Sequence, residues 1–110
     1  MKVLLDNCVP RTFERFLPGH DVSHTSRQNW THLGNGALLD AAEDAGFEVV
    51  VTTDKSIPQQ RRFTDRQISL IIMRAKSNAI PSLEPLASLV MVALLNIEPG
   101  TTVTVTAPVR

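Results

Sequence analysis

Val49-Val50-Val51-Thr52-Thr53, followed at once by Asp54-Lys55-Ser56, decides how this chain folds. Five consecutive β-branched residues favour extended backbone. An unbroken run, rather than apolar/polar alternation, is the pattern of a strand covered on both faces. The stretch is therefore predicted to be a central strand that ends at an aspartate.

Upstream, Asn35 is placed to cap a helix whose apolar stripe is Leu38, Leu39, Ala42 and Ala45, with Gly46 at its end. Asp40, Glu43 and Asp44 fall off that stripe and are expected on a solvated face. Further upstream, Val3 to Leu5 form a second buried strand, which stops at Asp6-Asn7. Pro10 suits the first turn of a helix capped by Asn7 and carrying Phe13, Phe16 and Leu17; Pro18-Gly19 ends it. His20 to His24 is a short strand, and residues 25–34 are polar and aperiodic, a loop. Downstream, a helical turn over Ile57 to Arg62 leads to a buried strand, Ile68 to Met73, then to a polar loop, Arg74 to Asn78. Ser82 caps a long helix over Leu83 to Asn96, with Pro85 in its first turn, where the missing N–H costs little. Pro99-Gly100 turns the chain into Thr102 to Thr106, whose Val/Thr alternation predicts a half-exposed strand. Strands alternating with helices imply an α/β domain: a mostly parallel sheet of about five strands with helices on both faces, three layers in all.

The 110 residues suffice for one domain, and 43% hydrophobic content suffices for a core. Eleven basic and eleven acidic residues cancel, so there is no global basic excess of the kind that coats nucleic acid. The single cysteine, Cys8, excludes an internal disulfide and suits a reducing, cytoplasmic setting. Met1-Lys2 runs straight into strand, which leaves no room for a signal peptide. The longest apolar stretch, Leu86 to Leu95, is too short to span a bilayer, so no membrane association is expected.

Ligands of open parallel sheets bind outside the carboxyl ends of the strands. Asp6 and Asp54 each follow a buried strand, so both carboxylates are expected on one rim. Two adjacent anions repel unless a cation lies between them. Oxygen ligation suits Mg²⁺ or Mn²⁺, which can activate water and stabilise an in-line displacement at phosphorus. Lys55, Arg74 and Lys76 could hold phosphate oxygens, and Asn7 lies on the same loop as Asp6. Each feature has a plainer reading: aspartate at a strand end is a common turn former or cap, and Asn35 is readily explained as a helix cap. His20, His24 and His32 invite a zinc reading that no further ligand supports. Trp30 could stack a base or lid the core. Cys8, near a helix start, could be an activated thiol or a packed small residue.

The stretches MKVLLDNCVPRTFERFLPGHDV and NGALLDAAEDAGFEVVVTTDKSIPQQ, followed by ISLIIMRAKSN, resemble the small stand-alone PIN-like domain family, relatives of the PIN ribonucleases and VapC-type toxins. The resemblance covers nearly the whole chain and is most specific from Val49 to Gln60 and at Arg74 to Asn78. It implies a three-layer PIN-like fold with an acidic pocket and, for active members, Mg²⁺- or Mn²⁺-dependent cleavage of RNA. Asp6 matches the first acidic position of the pattern and Asp54 the late one. Asn35 stands where an acid opens the middle helix, and Asn7 where a second acid often follows the first. The resemblance thus implies catalysis by Asp6, Asp54 and Asn35 around a weakly held ion, and an antitoxin-like protein partner. Two other readings stay open: a degenerate module that binds RNA or protein without cutting, and a phosphoacceptor receiver. The receiver lacks the lysine expected after its last parallel strand, where Ala107-Pro108 stand. The Val/Thr strand and the apolar helix are also compatible with a homodimer.

Overall fold

A computed structural model describes residues 1–54 and 67–106. They form an all-parallel five-stranded sheet in the order β2-β1-β3-β4-β5, with β1 at Lys2–Leu5, β2 at Asp21–His24, β3 at Val49–Thr52, β4 at Ser69–Arg74 and β5 at Thr102–Thr106. The expected α/β architecture is present. β3 is buried at every position, as its unbroken apolar run requires.

Pleat alternation divides the core into two layers. Val3, Leu5, Val51, Ile71, Met73 and Val105 face one side, where Phe13, Leu17, Leu83, Leu86, Val90 and Leu94 cover them. Leu4, Val50, Leu70 and Ile72 face the other, under Leu38, Leu39 and Ala42 of helix α1, Asn35–Asp44. α1 joins β2 to β3; helices α2 (Ile80–Leu83) and α3 (Ala87–Asn96) join β4 to β5. Both crossovers step the same way across the sheet but over opposite faces. They therefore have opposite hands, and one of them departs from the right-handed rule for parallel crossovers.

Several boundaries differ from the sequence reading. The helix expected after Pro10 is a 3-10 helix, Arg11–Phe16; Pro10 is its N-cap and no side chain bonds its end, so Asn7 is not the cap. Residues 25–34 contain a further 3-10 helix, Thr25–Gln28, capped by the His24 ring. Gly34, not Asn35, is the N-cap of α1; Asn35 is its first residue. The long helix begins earlier than expected, so Ser82 lies inside α2 rather than capping it, and a 3-10 turn, Glu84–Leu86, interrupts it before α3. Pro85 explains the interruption, because it has no N–H to donate to the preceding turn. The helical turn expected over Ile57 to Arg62 lies outside the described residues. Among the described residues no helix is long and apolar enough to cross a membrane.

Candidate functional site

The chain passes from β1 out to β2, then back across to β3 on the other flank of β1. Such a reversal opens a crevice at the carboxyl ends of β1 and β3. Leu5 pairs with Val51, so the next positions, Asp6 and Thr52, stand opposite one another on the face shared with Leu4 and Val50. The Asp6 N–H still donates to the Val51 carbonyl at 2.9 Å, which fixes Asp6 at the end of the ladder.

Asp6 is 8% exposed and its carboxylate is well supplied with donors. The Thr52 hydroxyl donates to Oδ2 at 2.7 Å, the Asn7 N–H to Oδ1 at 2.7 Å, and the Cys8 thiol to Oδ2 at 3.7 Å. The same Thr52 oxygen accepts the Asp54 N–H at 3.0 Å. One hydroxyl therefore links the carboxylate of Asp6 to the backbone of half-buried Asp54. Cys8 lies within the knot: its sulfur is 3.4 Å from Thr52 Oγ1 and accepts the Thr53 N–H at 3.5 Å. A buried carboxylate is tolerable only with such donors around it.

Arg74 ends β4 at the same rim and is exposed. Since Thr52 pairs with Ile72, Arg74 sits on the neighbouring strand at the level of Asp54. Lys76 follows on the exposed loop, and Asn7 is exposed beside Asp6. α1 runs down from this rim, with Asn35 as its first residue, over the face on which Asp6 stands. Lys55 lies outside the described residues.

A carboxylate offers about four lone-pair sites, and three donors engage Asp6. Oδ1, with one donor, keeps capacity for a hard cation, and Asp54 could bring a second carboxylate. Among the described residues no group of three or more His, Cys, Asp or Glu is arranged to hold a metal ion.

His24 answers the zinc reading. It is buried; Nε2 is 2.7 Å from the Val9 carbonyl, and Nδ1 accepts the Ser26 N–H at 3.0 Å. This assigns the Nε2–H tautomer and leaves no nitrogen for a metal. The ring instead ties the end of β2 to the loop after β1. Trp30 packs edge-on to Phe47, centroids 6.0 Å apart, against the Leu4 layer, so it lids the core. Asp40 and Asp44 are exposed as expected, but Glu43 is half-buried, and its Oε1 is shielded and has no hydrogen-bond partner among the described residues.

Sequence reasoning missed Thr52 and the part played by Cys8. The signal for Thr52 was present: a hydroxyl residue two positions before an aspartate can accept that aspartate's N–H. No family model matches the chain, and no curated protein or solved structure matches it either.

Proposed function

We propose that this protein is a metal-dependent endoribonuclease of the PIN-like type, working at the Asp6–Asp54 rim with Mg²⁺ or Mn²⁺. The supporting observation is that two aspartates 48 positions apart in the chain reach one rim on adjacent parallel strands, where the Thr52 hydroxyl donates to the Asp6 carboxylate and accepts the Asp54 backbone N–H. When bound, the ion would lower the pKa of a coordinated water and neutralise charge on the phosphoryl group. Asp6 Oδ1 and the Asp54 carboxylate would hold it, with Asn7 and Asn35 contributing amide oxygens directly or through water. Thr52 keeps the Asp6 carboxylate in one orientation. Arg74 and Lys76, exposed past the end of β4, would neutralise the RNA backbone on either side of the scissile bond; Lys55 shares that role by sequence position. If the protein is the toxin of a toxin–antitoxin pair, a basic side chain of the partner entering the same rim would displace the ion and silence it.

The test is incubation of purified protein with mixed single-stranded RNAs and Mn²⁺. Cleavage should be abolished by chelation and fall by at least about a hundredfold in Asp6→Asn and in Asp54→Asn, as loss of a catalytic metal ligand implies. Equal cleavage by both variants and the parent would remove the proposal.

A second reading is a degenerate module that binds RNA or protein without cutting. It is favoured by the two donors on Asp6 Oδ2 and by the amides at positions 7 and 35. RNA retention that survives chelation, with no cleavage, would select it. The receiver reading is weakened by the winding. Right-handed crossovers throughout would place the β2–β3 and β4–β5 helices on one face, whereas here they lie on opposite faces.

A further inference from the structure

The charges of this neutral chain are not evenly spread. At the pole where the strands begin, Asp21, Asp44, Glu48 and Glu98 are exposed, against Lys2 and the amino terminus. At the carboxyl rim, cations gather on both flanks of Asp6 and Asp54. Arg74 and Lys76 lie on the β4 flank. On the β2 flank the two 3-10 helices, Arg11–Phe16 and Thr25–Gln28, both start at the rim, where the His24 ring joins the end of β2 to the Val9 carbonyl. Glu14 of the first helix accepts two N–H groups of the Arg27 guanidinium, at 2.7 and 2.6 Å. A guanidinium has further N–H donors, so Arg27 keeps capacity for another anion. Side chains three apart eclipse on a 3-10 helix, so Arg11 stands over Glu14, and Arg15 is the next residue. The Arg27 hydrogen bonds hold the Glu14 carboxyl below its ordinary pKa, and the charges of Arg11 and Arg15 act in the same sense. Three guanidinium groups thus gather at one carboxylate. Among the described residues no carboxylate pairs with Arg11 or Arg15, and both are exposed. Phosphate oxygens are the acceptors that such forked donors fit best. From β2 to β4 the rim spans three strand spacings, about 14 Å. One phosphate cannot reach both flanks, whereas a nucleic-acid strand carries phosphates along such a length.

We infer that Arg11, Arg15 and Arg27 form a second phosphate anchor for single-stranded RNA, on the side of the Asp6–Asp54 rim opposite Arg74 and Lys76, so that the strand crosses the rim from β4 to β2. The inference rests on the reading of the rim as the place where RNA is cut, but binding alone tests it. The experiment is fluorescence anisotropy of the whole protein with a labelled oligouridine of about a dozen nucleotides, in EDTA to prevent cleavage, as salt is raised. Each neutralised phosphate contributes about 0.7 to the salt slope of a single strand. The double variant Arg11→Gln, Arg15→Gln should therefore flatten the slope by about 1.4 and weaken binding at low salt by at least about tenfold. Glu14→Gln uncovers Arg27 and should tighten binding severalfold, whereas Glu98→Gln, the same charge change at the far pole, should leave it unchanged. Equal slopes in the parent and the double variant, or equal gains from Glu14→Gln and Glu98→Gln, would overturn the inference. So would a polyglutamate peptide that binds as tightly as the oligouridine and is lost in the same double variant, which would assign the cluster to an acidic protein. The expected binding without cleavage in Mn²⁺ would keep the anchor and remove the nuclease reading; cleavage with an unchanged slope would do the reverse.

Discussion

Thr52 does more with one hydroxyl than any other residue at the rim, because it donates to Asp6 and accepts from Asp54. Thr52→Val keeps the shape but leaves a buried carboxylate oxygen short of its best donor and an amide without its acceptor. The expected cost is about 1 to 3 kcal/mol, read from the urea midpoint, while Thr52→Ser should stay near the parent. A Val variant as stable as Ser would mean the shared hydroxyl contributes nothing to stability. A second residue-scale effect concerns pH. The side-chain hydrogen bonds from Arg27 hold the Glu14 carboxyl below its ordinary value, with the Arg27 charge adding to the effect. A lowered folded-state pKa means the stabilisation is present in full above the ordinary glutamate range and fades as the pH falls through the depressed value. The difference in stability between the parent and Glu14→Gln should therefore be largest near neutrality, shrink with acidification, and shrink with added salt, since both partners are solvent-accessible.

Among the elements, α1 shows most plainly how local chemistry sets boundaries. It ends because Gly46 takes φ +86°, a left-handed conformation, and its N–H bonds the Glu43 carbonyl. A methyl group there would meet nothing closer than the Lys2 ammonium at 3.8 Å, so backbone strain alone is at issue. Gly46→Ala should cost about 1 to 2 kcal/mol in thermal or urea unfolding; a neutral result would mean the left-handed turn is not needed. Element existence was legible from residue pattern: all five strands were foreseen, as was the helix bearing Leu38, Leu39 and Ala42. Cap identities were not, because Asn7, Asn35 and Ser82 are good caps by type while the structure uses Pro10, Gly34 and Ala79. Capping depends on backbone angles at one residue, which neighbouring turns decide. Glu43 was misread for a similar reason: a helical wheel shows which residues leave the main stripe, not what the next element brings over them.

For the molecule as a whole, the parallel sheet and its two-sided burial followed from apolar runs at Val3–Leu5, Val49–Thr52 and Ile68–Met73. Strand order did not follow, nor did the face taken by each crossover, since these rest on contacts between segments far apart in sequence. That Asp6 and Asp54 leave the same rim was legible because both residues follow buried strands; that those strands are neighbours, and that Thr52 links the Asp6 carboxylate to the Asp54 N–H, was not, since both depend on pairing between distant segments. One consequence of the sheet order concerns opening rates. β1 lies between β2 and β3, bonded on both sides and buried at Val3, Leu4 and Leu5, whereas β2 and β5 have one neighbour each. In deuterated water the β1 amides should exchange only through unfolding of the entire domain, and those of the outer strands through local fraying, many times faster. Asp6 hangs from one of the three inner strands, so its carboxylate should hold its position while the periphery breathes.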